Sequence, residues 1–206
     1  MLRPVLSSFR RGLAAIALAL ALVSAAQAAD PAVAFVRRFG DEAIGMLRDR
    51  SAAEADRRQR FETLVRGGFD LPLIAQLALG RYWRGATQVE RDAYVDLFGR
   101  FVLDTYARRL DEYRDQRLRV VSAVPAGQDR MVESWVEGGG EPLRVDWRVR
   151  QTPEGERIVD VVIAGVSMLV TQRSEFASVI ERSGGIQGLI DNLRQRLDPQ
   201  RHARAG

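Results

Sequence analysis

The chain has 206 residues, 31 basic side chains against 27 acidic ones for a formal charge of +4, and no cysteine. Disulfides, thiolate catalysis and cysteine-based zinc sites are therefore excluded, and a lone histidine, His202, supplies neither a catalytic triad nor a histidine-built metal set. The length suits one domain with a sizeable core.

The first element has the order of an export signal. Arg3, Arg10 and Arg11 precede an apolar run over residues 13–25, followed by Ala26-Gln27-Ala28. Basic region, short apolar region and small-residue cleavage site predict a signal peptide over residues 1–28 and a mature domain over 29–206, delivered to the periplasm of a Gram-negative cell. A spanning helix would need about 20 apolar residues, more than this run supplies. Cleavage removes three arginines and leaves 28 against 27 acidic residues, a charge of +1. A nucleic-acid partner then loses its electrostatic footprint, and none is expected.

Helices come next. Val33, Val36, Phe39, Ala43, Met46 and Leu47 recur at three- and four-residue steps and form one apolar stripe. Ser51 with Glu54 reads as a capping box for a second helix through Phe61, Leu64 and Val65, stopping at Gly67-Gly68. Asp70 and Pro72 open a short apolar helix that ends at Gly80. A second capping box, Thr87 with Glu90, starts the longest helix, predicted to run to about Tyr113 with a broad apolar face around Phe98, Phe101, Val102 and Tyr106.

From Arg117 the period changes to two. The runs "LRVVSAV", "DRMVESWVE", "LRVDWRVRQ" and "RIVDVVIAG" alternate and are separated by glycine- and proline-bearing turns. Leu143, Val145, Trp147 and Val149 share one face of the third run, and Arg144, Asp146, Arg148 and Arg150 the other. A sheet with one wet face is antiparallel by expectation. Two helical segments close the chain, the first starting around Ser174 as cap, and residues 198–206 read as a flexible tail. The fold class is α+β: helices packed on one face of a four-stranded antiparallel sheet, in a single domain.

A search for chemistry returns little. Glycines do not sit in a strand-to-helix phosphate turn, and Gly165-Val166-Ser167 lacks the rest of a nucleophile elbow, so Ser167 reads as a turn or cap residue. Glu133, Glu137 and Asp146 fall on the solvated strand face, where ion pairing with arginines accounts for them. No acid, base and nucleophile constellation emerges; no enzyme, metal or cofactor is expected.

Two long runs carry a resemblance. In residues 69–113 the elements are Phe69-Asp70, Leu79-Gly80-Arg81 with Trp83, Thr87, Phe98 and Thr105-Tyr106; in residues 145–193 they are Asp146 and Arg148, Asp160-Val161, Gly165-Val166-Ser167 and Arg173-Ser174-Glu175-Phe176. In order and spacing these resemble the MlaC, or toluene-tolerance, family of periplasmic lipid-binding proteins, or its hopanoid-associated HpnM branch. The resemblance implies a non-catalytic carrier with an internal apolar cavity between helices and sheet, holding a phospholipid as cargo. It also implies partners: an outer-membrane lipoprotein complex and an inner-membrane ABC transporter with a substrate-presenting subunit, served by a monomeric shuttle. Leu73, Ile74, Leu77, Phe98, Val102, Tyr106, Val145, Trp147, Val162, Met168, Val170 and Phe176 are the expected cavity lining, with plain core as the competing reading. Arg81 and Arg173 are candidates for a headgroup phosphate or an acidic partner patch, with a structural ion pair as the alternative. Two other classes stay open, an interaction module without cargo and a carboxylate-dependent hydrolase.

Overall fold

Asp30 starts the first helix, α1 (Pro31–Arg48), by accepting the Ala32 N–H at 2.9 Å, and Pro31 fits the first turn because its missing N–H would have no partner there. The same carboxylate pairs with Arg130 of the sheet, which ties the helix start to its neighbour. The structure is a computed structural model that describes residues 30–49, 51–107 and 116–198. The signal segment, the turns expected beyond residue 107 and the tail from residue 199 lie outside the described residues.

Helix α2 (Glu54–Gly68) has no side-chain cap, so the expected Ser51–Glu54 box does not form. Ser51 instead donates its hydroxyl at 2.6 Å and its N–H at 3.2 Å to Asp49, a charged and therefore stronger acceptor two residues away. The helix stops at Gly68, as the glycine pair predicts, and Phe69 closes it by donating its N–H to the Val65 carbonyl at 2.9 Å. Helix α3 (Leu71–Leu79) is capped by Asp70, which accepts the Leu73 N–H at 3.0 Å, and closes at Gly80, whose φ of 59° suits glycine. A 3₁₀ turn (Gly80–Trp83) leads to α4 (Gln88–Ala107). There the expected capping box is complete: Thr87 N–H donates to Glu90 at 2.8 Å, and Glu90 N–H donates to the Thr87 hydroxyl at 3.3 Å.

The sheet is an antiparallel meander of five strands in sequence order, one more than the four expected: β1 (Arg117–Ala126), β2 (Asp129–Glu137), β3 (Leu143–Thr152), β4 (Gly155–Ile163) and β5 (Val166–Ser167). The additional strand is two residues long. Ala164 (φ 49°) and Gly165 (φ 83°) form a two-residue hairpin loop with both φ positive, which turns the chain straight back so that Ile163 faces Val166. Alternation over two residues is too short to register in a sequence pattern. Helix α5 (Met168–Ser183) starts at once, with Ser167 as its cap, and α6 (Ile186–Arg196) follows the left-handed Gly184.

Burial falls into separate clusters. One lies between α1 and the sheet and is built from Val33, Phe35, Val36, Ala123, Val132, Val149 and Ile158. A second joins α3, α4, α5 and α6 through Leu79, Tyr94, Leu97, Phe98, Phe176, Ile180, Leu189 and Leu193. A small third group, Val65, Leu71 and Leu103, sits between them with Phe61, Phe69 and Val102 packed against it. Phe69 also bridges Ile158 in parallel, and Asp70 N–H donates to the Ile158 carbonyl at 3.0 Å, so the α2–α3 junction is stitched to the edge of β4.

Candidate functional site

A cleft of about 940 Å³ opens where α1, α2 and the turn joining β3 to β4 fail to close on one another. Its apolar lining comes from Phe35, Phe39, Met46 and Leu64, positions on the inward stripes of the two amphipathic helices. Glycines add bare backbone. A Cβ at Gly45 or Gly67 would meet no atom within 4 Å, so these two positions border open space. Gly68 is the reverse: a Cβ there would lie 2.5 Å from the Phe39 ring, so the missing side chain lets α2 approach α1. The volume is at the upper end of the roughly 300–1,000 Å³ usual for ligand pockets.

The rim is charged. Arg38, Arg60 and Arg157 alternate there with Glu42, Asp49, Asp56, Glu154 and Glu156. Arg60 is neutralised by Asp49 at 2.9 Å, and the hydrogen bonds from Ser51 and then from Arg60 hold the Asp49 carboxyl below the usual carboxylate range. An apolar floor under a polar rim can take a hydrocarbon chain while a polar head stays wet.

None of the residues expected to line a cavity lines this cleft. Phe98 and Phe176 are 2% and 3% exposed and pack ring against ring with Tyr94, at centroid distances of 5.9–6.1 Å. A side chain on an open cavity keeps surface that a water-sized sphere can touch, so both belong to the solid helical core. Burial pushes the Tyr94 hydroxyl's pKa up, and its proton is donated to the Ala75 carbonyl at 3.0 Å. Ile74 and Leu77 pack on the same core, with Leu73 half-buried beside them on α3. Val170 is 58% exposed and Tyr106 45%, so both point outward. Val162 and Met168 are half-buried, Val145 is buried in the sheet, and Val102 spans the second and third clusters. Trp147 touches a residue of the cleft. Its ring meets Phe39 edge-on at 5.8 Å, and its Nε1–H donates to the Ser134 hydroxyl at 2.9 Å. Arg81 pairs with Glu181 at 2.7 Å and Arg173 donates to the Leu77 carbonyl at 2.9 Å, so both arginines stitch α5 to the α3 region.

The MlaC protein family model matches residues 37–195. The chain belongs to the MlaC family. A curated member from Haemophilus influenzae, the intermembrane phospholipid transport system binding protein MlaC, is 25% identical over 132 residues, which make up 61% of this chain and 61% of that protein's length. A phospholipid-binding protein from Ralstonia solanacearum, solved in complex with a phospholipid, superposes with a TM-score of 0.70 at 29% identity and covers 80% of this chain and 95% of its own. In this MlaC family member, the cleft walls were legible as amphipathic stripes, since Phe39, Met46 and Leu64 fall on them. What periodicity cannot say is that part of each stripe faces a void. The pair Gly45 and Gly67, exposed and unopposed on neighbouring helices, was the missed signal.

Proposed function

We propose that the chain is a periplasmic phospholipid carrier, which takes acyl chains into the cleft between α1, α2 and the β3–β4 turn. It shuttles lipid between an outer-membrane lipoprotein complex and an inner-membrane ABC transporter, without catalysis of its own. The observation that carries this reading is the match to a phospholipid-bound protein over most of both chains, joined to an apolar-floored cleft of ligand size. The basic, apolar and small-residue order of residues 1–28 supports export and cleavage, with residues 29–206 as one domain.

The energetics fix how such a carrier works. Burying two chains of about 16 carbons is worth about 25 kcal/mol gross at about 0.8 kcal/mol per methylene. That exceeds the roughly 18–21 kcal/mol at which non-covalent affinities saturate, so ordering and desolvation costs must offset much of it. Unaided release would still be slow, and the membrane complexes must open the cleft or accept the chains directly.

The test exploits the two unopposed glycines. Purified protein is extracted for lipid mass spectrometry and challenged with labelled phospholipid vesicles. Gly45→Phe with Gly67→Phe is expected to fill the cleft and cut lipid uptake at least tenfold, while the unfolding midpoint holds or rises because each helix loses a glycine worth up to about 1 kcal/mol in propensity. Val170→Asp is expected to leave uptake unchanged. Wild-type protein that neither co-purifies with lipid nor takes it up would sink the proposal, and hopanoid in the extract would reassign the cargo.

A further inference from the structure

On the face of the sheet turned away from α1, carboxylates lie beneath and guanidiniums lie on top. Arg148 and Arg150, two residues apart on β3, point to the same side. Both converge on Asp129 of β2, whose side chain is fully buried while theirs stay 38% and 20% exposed. Arg150 grips that carboxylate with two nitrogens, at 2.6 and 3.0 Å, whereas Arg148 gives it Nε alone, at 2.6 Å. Both Nη groups of Arg148 and the Nη1 of Arg150 are left without a partner among the described residues. The other acids of this face are committed: Glu137 to Arg119, Glu133 and Asp146 to Arg144, and Asp160, directly across from Arg148 on β4, to the Ser167 hydroxyl and the Leu169 N–H. The row that carries Arg148 is apolar on its other side. Met131 stands opposite it on β2, half-buried, and Val124 stands opposite Met131 on the edge strand β1, 55% exposed. None of these residues lines the cleft.

We propose that this strip docks a protein partner, whose segment sets an aspartate or glutamate carboxylate on the open nitrogens of Arg148 and Arg150 and an aliphatic side chain on Val124 and Met131. A carboxylate is the complement because the guanidiniums are planar donors already fixed in place by Asp129, so little freedom is lost when they accept a second anion. The buried acids cancel the charge at long range, which leaves recognition to short hydrogen bonds and to the apolar contact beside them. Valine and methionine next to the arginines suit a peptide segment better than a free inorganic anion, which has nothing to place on them.

Isotope-labelled mature protein is titrated with the peptide acetyl-Leu-Ser-Glu-amide, with its glutamine counterpart acetyl-Leu-Ser-Gln-amide and with sodium sulfate, and binding is read by NMR at the arginine Nε–H signals and the Met131 methyl. In an extended peptide the leucine and the glutamate share one side, as the strip requires. The glutamate peptide is expected to bind with a Kd on the order of 10 mM, the strength that charge-assisted hydrogen bonds and one aliphatic contact support, and to shift both sets of signals. The glutamine peptide should bind about tenfold more weakly. Arg148→Gln should weaken the glutamate peptide about tenfold and still fold, since Arg150 keeps Asp129 satisfied; Arg148→Lys, with the charge but not the fork, should fall between. Val124→Ser should weaken the peptide about threefold and leave sulfate unchanged. Lipid uptake by Arg148→Gln should match wild type, because the strip is separate from the cleft. Equal binding of the two peptides, or unchanged peptide affinity in Arg148→Gln or Val124→Ser, overturns the proposal and leaves Asp129, Arg148 and Arg150 as a structural ion triad. A sulfate shift at the arginines with no peptide shift at Met131 overturns it as well, as an adventitious ion only.

Discussion

Gly68 and Phe39 show how a single missing side chain sets the distance between two helices. The Phe39 ring is held from other sides by Phe35, Phe69 and Trp147, at centroid distances of 5.6–6.4 Å, so it has little room to yield to a Cβ 2.5 Å away. Gly68→Ala should destabilise by about 1–3 kcal/mol despite its better helix propensity, seen as a lower denaturant midpoint. Asp129 is the charged counterpart. Its side chain is fully buried and accepts from Arg148 at 2.6 Å and from Arg150 at 2.6 and 3.0 Å. Burial pushes its carboxyl up, but the hydrogen bonds and charges of Arg150 and Arg148 together outweigh that and hold it below the usual value. A depressed folded pKa means the stabilisation is present above the unfolded value of about 3.9 and is lost as pH falls through the folded one. Asp129→Asn should cost about 2–3 kcal/mol at pH 7 and flatten the decline of urea midpoints below about pH 4.

The start of α5 carries the lesson at the scale of an element. The sequence offers two serines as caps, Ser167 and Ser174, and local pattern favours a helix starting near the second. The group that decides lies on β4: buried Asp160 accepts the Ser167 hydroxyl at 2.6 Å and the Leu169 N–H at 3.0 Å, while Ser167 Oγ accepts the Val170 N–H at 3.0 Å. Two of the orphan N–H groups of the first turn are thereby satisfied, and the helix begins at Met168. Contrast Thr87 with Glu90 and Asp70 with Leu73, where donor and acceptor lie within three residues and the boundary was legible. Ser167→Ala should cost about 1–2 kcal/mol. Combined with Asp160→Ala, the loss measured by chemical denaturation should be less than the sum of the single losses, because the two side chains share one network.

At the scale of the whole molecule, the order of helices, the antiparallel meander and the apolar stripes were readable because each is a local period. The location of the cleft was not. An apolar stripe looks the same in sequence whether it meets a neighbour, as Phe98 meets Phe176, or borders a void, as Met46 and Leu64 do. That difference is settled by contacts distant in sequence, such as Phe69 on Ile158, which fix how far α2 stands from the sheet. Phe39, placed at this junction, has two faces: one on the cleft and an edge contact with the indole of Trp147. Indole fluorescence responds to the polarity and motion of its immediate surroundings. With Trp83→Phe and Trp135→Phe removing the other two indoles, Trp147 emission should shift when the cleft fills, and Phe39→Leu should mute the response. On the proposed carrier reading, the molecule would thus contain its own optical gauge of cleft filling, one ring removed from the proposed lipid and requiring no dye.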